Sequence, residues 1–130
     1  MIEDIYKEEI LDHYKDPRNF GKLDNATHNA REVNSLCGDH LELFIIAKDG
    51  IIEDVKFSGE GCAISQASCS MLTEKIKGKK MDEARKLKGM DIIRMLGINI
   101  SPARFNCALL SLKTLQSAIK KDNCLEKDIN

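Results

Sequence analysis

Three cysteines and one aspartate stand where side chains with chemistry tend to collect. Cys37 lies in Leu36-Cys37-Gly38-Asp39, between two runs that read as strands. Cys62 follows Gly59-Glu60-Gly61 at the start of a helical pattern, and Cys107 sits in the first turns of the last helical pattern. Such boundaries carry function because loops and element ends present groups that a rigid scaffold holds still. A cysteine at a helix N-terminus faces unsatisfied amides and the positive dipole end, which favours the thiolate that binds metals or attacks sulfur. Cys62 meets that description, and the glycines around it let backbone pass close to an ion or cluster. Asp39, two residues beyond Cys37 across a glycine, can share one ion with it in a tight turn. Cys37, Asp39, Cys62 and Cys107 together suit zinc or an iron–sulfur cluster, with the harder carboxylate holding a cluster less firmly than a fourth thiolate would. No CxxC pair is present, so spacing alone leaves these cysteines open to a second reading as small core residues.

The other candidates are weaker. Cys62 and Cys69 are separated by about 10 Å of helical rise, more than metal–sulfur bonds of about 2.3 Å can span, so Cys69 reads as a buried spacer thiol. Cys124 falls in a polar stretch and reads as incidental. His13, on a helix whose apolar stripe explains itself, His28, in an irregular loop, and His40, facing away from Asp39, read as surface histidines.

The elements that must position the cysteines follow from periodicity. Ile2, Ile5, Tyr6, Ile10, Leu11 and Tyr14 form one stripe of a helix that Asp16-Pro17 ends, and an irregular connection follows to Asn29. Arg31–Leu36, Leu41–Lys48 and Ile51–Ser58 read as strands, the last two joined by the hairpin signal Asp49-Gly50. Alternation in the third run is imperfect, so the pattern specifies the hairpin but not its register. Helices are expected at Cys62–Lys77, Met81–Leu87, Met90–Leu96 and from Pro102 through Ile119, with a polar tail that frays from about residue 122. The fold class is α+β, a three-stranded antiparallel sheet packed against helices. A length of 130 residues suits a single domain over 1–130. Twenty basic against twenty-one acidic residues give a formal charge of -1, which argues against a nucleic acid partner. No run reaches the roughly 20 apolar residues of a membrane span, and the acidic N-terminus is unlike a secretory signal, so the expected compartment is the cytoplasm.

Four blocks in order carry a resemblance. ILDHYKDPRNFG at 10–21, CGD at 37–39, VKFSGEGCAISQASCSMLTEKIKGK at 55–79 and SPARFNCALLSLKTLQSAI at 101–119 resemble the U-type iron–sulfur cluster assembly scaffolds, the IscU, SufU and NifU N-terminal family. The resemblance implies one metal site at an exposed end, with ligands at Cys37, Asp39, Cys62 and Cys107. It implies a scaffold or carrier rather than an enzyme. Such a protein takes persulfide sulfur from a pyridoxal-phosphate (PLP) cysteine desulfurase on Cys107 or Cys37, holds a labile 2Fe-2S cluster, or zinc when iron is absent, and passes the cluster to apo iron–sulfur proteins. A homodimer is compatible with it.

Departures shape these expectations. Asn106 stands where IscU proteins carry histidine before the last cysteine, and it binds soft metals poorly. The segment that IscU offers to an Hsp70-type chaperone is reduced to Ser101-Pro102-Ala103-Arg104, which weighs against chaperone dependence. The GEGCAISQAS stretch is SufU-like, yet the SufU insertion before the last helix is missing, so the chain is of intermediate type. The competing function is a zinc-dependent sulfur acceptor that stimulates its desulfurase without holding a cluster, and a third is a structural zinc domain. Lys15, Arg18 and Arg104 are basic residues placed to meet a desulfurase or simply to face solvent.

Overall fold

The computed structural model describes residues 7–35 and 38–129, with side chains to Lys120. Helix α1 (Glu8–Lys15) leads through an irregular segment to strands β1 (His28–Asn34), β2 (Asp39–Lys48) and β3 (Ile51–Glu60). Helices α2 (Ala63–Ile76), α3 (Met81–Arg85) and α4 (Gly89–Leu96) follow, then a 3₁₀ turn (Pro102–Arg104) and the long α5 (Phe105–Ile129). The strands form one antiparallel meander in the order β1-β2-β3. Asp49 and Gly50 both have positive φ, 55° and 77°, the primed turn whose twist matches that of the strands it joins.

A β-bulge explains the imperfect alternation. The register shifts between Ile46, opposite Asp54, and Ala47, opposite Ile52, which leaves Glu53 as the extra residue. Ile52, Val55 and Phe57 thereby all reach full burial despite their uneven spacing, beside Leu41, Leu43 and Ile45 of β2. Helices α2 and α5 pack against these residues, α5 chiefly on β1 and β2 and α2 on β3, and Ile64, Leu72, Leu112 and Leu115 complete one contiguous core. Among the described residues no helix is long and apolar enough to cross a membrane.

Helix α2 departs from the expected single stripe, since every residue from Ile64 to Thr73 is buried. Its polar groups are satisfied one by one. Gln66 donates to Gly59 O (3.2 Å), Ser68 to Ala108 O (2.8 Å) and Thr73 to Ser70 O (2.7 Å). Ser70 Oγ accepts the Arg18 amide (2.8 Å) and pairs with His13 Nδ1 (2.7 Å). His13 is therefore not a surface histidine. It is 6% exposed and wedged between α1 and α2, with Nε2 3.7 Å from Glu74. Asn19 donates to Thr73 (3.1 Å) while its carbonyl and the Gly21 amide bracket Phe57 on the outer edge of β3. The Pro17–Gly21 segment is thus a tie between α1, α2 and the sheet edge.

Other boundaries moved for identifiable reasons. β1 begins at His28, not at Arg31, because Thr27 already bonds β2 through its amide to Ile45 O and its hydroxyl to the Ala47 amide. His28 is consequently a half-buried strand residue rather than part of a loop. β3 continues through Gly59-Glu60, and α5 runs to Ile129 past the expected tail, for no glycine or proline interrupts residues 120–129. Of the expected first helix, residues 2–6 lie outside the described residues.

Because His13 holds two helices together through a buried hydrogen bond, His13→Ala is expected to destabilise the fold by about 2 kcal/mol. Urea unfolding checks this, and a change below about 0.5 kcal/mol, the scale of a surface substitution, would show that the contact carries no weight.

Candidate metal centre

Three chain segments meet at one end of the sheet. β2 starts at Asp39, opposite Asn34 across the connection from β1. β3 ends at Glu60, opposite His40, so the following Gly61 and Cys62 leave the sheet beside Asp39. Cys62 is the N-cap of α2, with extended backbone, and carries no side-chain capping bond. α5 enters from the 3₁₀ turn and brings Cys107 in its first turn. One donor atom from each of Asp39, Cys62 and Cys107 lies within 4.8 Å of the others, a spacing that one ion or cluster can bridge. Asp39 is 5% exposed, Cys107 7% exposed and Cys62 half-buried.

The electrostatics of this corner favour a positive guest. Asp39 Oδ2 is buried and has no hydrogen-bond partner, a costly state for a carboxylate oxygen unless something else supplies positive charge. Two sulfur donors beside it add the soft ligands that zinc and iron–sulfur clusters prefer. Gly61 keeps the corner tight, since a Cβ there would stand 2.3 Å from Ser65 Oγ and 2.9 Å from Asp39 Cγ. The donor set therefore fits such a group.

Of the four residues singled out from the sequence, the structure brings Asp39, Cys62 and Cys107 together, and Cys37 lies outside the described residues. Cys69 is fully buried among apolar side chains, and that burial pushes its thiol pKa far up. Asn106 is exposed on the first turn of α5. Sequence reasoning missed Ser65, whose hydroxyl donates to Cys62 O (3.1 Å) and lies 3.8 Å from Cys62 Sγ. The available signal was the run Ala63–Thr73, which contains no charged residue and so cannot present an ordinary solvated face.

Comparison with known proteins gives the family and the fold. The family model for the NifU-like N terminal domain matches residues 5–127. The chain is 37% identical over 138 residues to the zinc-dependent sulfurtransferase SufU of Bacillus subtilis, covering 93% of each protein. It is 38% identical over 133 residues to the iron–sulfur cluster assembly scaffold protein IscU of Thermotoga maritima, covering 90% of this chain and 94% of that one. Among solved structures, the SUF-system protein FiSufU of Fervidobacterium islandicum superposes with a TM-score of 0.74 at 35% identity, covering 88% of this chain and 96% of that chain. The NifU-like N-terminal protein of Brucella abortus, at 24% identity, shares the fold with a TM-score of 0.77 over 92% of this chain and 95% of that chain.

The contrast between the thiols is directly measurable. Brief iodoacetamide treatment of the native, metal-stripped protein should label Cys62 and leave Cys69 unmodified until denaturant is added, as read by peptide mass spectrometry. Native labelling of Cys69 at the rate of Cys62 would contradict its sealed environment.

Proposed function

The chain belongs to the NifU-like N-terminal domain family of iron–sulfur cluster assembly proteins, and from that premise we propose that it is a cluster scaffold with Asp39, Cys62, Cys107 and Cys37 as its ligands. The observation that carries this reading is the convergence of one carboxylate and two sulfurs within 4.8 Å, the carboxylate having one buried oxygen with no hydrogen-bond partner. Cys37, two residues before Asp39, supplies the third thiolate. The cargo is a 2Fe-2S cluster, assembled with sulfur from a PLP-dependent cysteine desulfurase, each persulfide sulfur taking two electrons from an external reductant to become bridging sulfide, and delivered to apo iron–sulfur proteins. In the sulfur step, a thiolate of this chain, Cys107 or Cys37, attacks the outer sulfur of the desulfurase persulfide. The persulfide S–S bond breaks, the desulfurase cysteine leaves as thiolate, and the persulfide now resides here. Asp39 is the weak side of the site, because carboxylate binds soft iron less firmly than thiolate. A cluster held this way can leave.

A second reading has its own support, the similarity to a relative named as a zinc-dependent sulfurtransferase. In it the same residues hold zinc, which keeps the thiols deprotonated and the site folded, and the chain only relays sulfur.

Anaerobic reconstitution with iron, cysteine and a desulfurase separates the two. A 2Fe-2S visible spectrum is the result expected of the scaffold, and persulfide without that spectrum would replace it with the relay. Asp39→Ala is expected to lengthen the cluster lifetime several-fold and to slow transfer to an apo-ferredoxin, followed by absorbance and circular dichroism; an unchanged or shortened lifetime would remove Asp39 from its role.

A further inference from the structure

Helices α2 and α5 each bring one thiol to the site at the N-terminal end, so the separation of the two sulfurs depends on how these helices cross. Apolar ridge-and-groove packing by itself leaves crossing angles scattered over about 15°. Cys62 lies six residues before Ser68, about 9 Å along the helix, and a swing of about 10° over that lever moves its sulfur by about 1.5 Å. Metal–ligand distances tolerate only about 0.2 Å.

At the crossing sit two serines, both fully buried. Ser68 of α2 donates its proton to Ala108 O at 2.8 Å, and its Oγ lies 2.7 Å from Ser111 Oγ of α5. With the Ser68 proton committed to the carbonyl, Ser111 is the donor of the second bond. A buried helical hydroxyl ordinarily satisfies itself on its own helix, as Thr114 does here by donating to Leu110 O at 2.8 Å. Ser111 crosses to the other helix instead. Ala108 directly follows Cys107, and Ser111 lies one turn beyond it, so both bonds fall beside the thiol that α5 contributes.

Resting on the reading of Cys62 and Cys107 as ligands, we propose that Ser68 and Ser111 are positioning residues of the metal centre, a hydroxyl clamp that fixes the α2–α5 crossing and with it the Cys62–Cys107 spacing. The clamp makes the geometry of the two sulfurs a matter of directional hydrogen bonds rather than of compliant apolar contact.

The test uses the full chain under reducing, anaerobic conditions with Co(II) and zinc as probes. Ser68→Ala/Ser111→Ala removes both hydroxyls together, so neither is left buried without its partner. The double variant should unfold within a few degrees of the wild type, bind zinc about tenfold more weakly in chelator competition, and show a displaced thiolate-to-Co(II) charge-transfer band. Ser111→Thr, which keeps the hydroxyl, should restore both readouts relative to Ser111→Ala. Thr114→Val removes a buried hydroxyl bonded within α5 and should leave both unchanged. Wild-type affinity and spectrum in the double variant would overturn the clamp, as would an equal loss in Thr114→Val. Should the double variant fail to fold, Ser111→Ala alone is expected to weaken zinc about threefold, and unchanged binding there would equally overturn it. Indistinguishable Co(II) binding by the wild type and Cys62→Ala would instead reject the ligand assignment beneath it.

Discussion

A carboxylate oxygen shut away from water without a donor is the constraint around which this structure is arranged. Leaving such a group unsatisfied costs about 1 to 3 kcal/mol, and more when it is charged. Asp39 Oδ2 is in that state, on a carboxylate grouped with the sulfurs of Cys62 and Cys107 at the end of the sheet. An apolar side chain would carry no such penalty there, which supports the proposed role of Asp39 as a ligand. Placing the carboxylate requires β2 to start where it does, and placing the two sulfurs requires two helices to begin at the same end of the molecule. The meander, its bulge and the buried stretch Ile64–Thr73 of α2 supply that arrangement within one small core.

Helix α2 shows how the requirement is met. It is surrounded on all sides, by α1, α5, α4 and β3, and a helix so enclosed would normally be apolar throughout. Here small polar residues allow close approach, and four of their side chains tie the helix to its neighbours. Ser70 and Thr73 fasten α1 and the Arg18-Asn19 turn, Ser68 fastens α5, and Gln66 fastens the end of β3. The polar core gives α2 one orientation instead of several equivalent apolar ones, a benefit for an element whose N-cap, Cys62, carries a sulfur of the proposed site.

Much of this was legible in the residues. The Asp49-Gly50 turn, the three strands, α2, α4 and the placement of Cys62 and Cys107 at helix starts follow from local chemistry, which acts over a few residues and leaves its mark in spacing. Burial of His13 was not legible, because its partner Ser70 is distant in the chain and an amphipathic α1 offers an exposed face by default. The bulge at Glu53 was visible only as a broken alternation, since the register depends on which strand lies alongside. The length of α5 left little mark in the residues, because a polar stretch shows no apolar stripe, while nothing in residues 120–129 stops a helix already under way. The proposal of Cys37, Asp39, Cys62 and Cys107 as one ligand set, by contrast, leans on the resemblance of four sequence blocks, and spacing without that resemblance leaves the cysteines undecided.

The most direct measurement of the central claim is X-ray absorption at the zinc edge of the purified, zinc-loaded chain, with metal stoichiometry determined on the same sample. One zinc per chain with a shell of three sulfurs at about 2.3 Å and one oxygen near 2.0 Å is the result this account predicts. A shell of nitrogen and oxygen alone, or a sulfur shell that survives intact in a Cys62→Ala/Cys107→Ala variant, would contradict it.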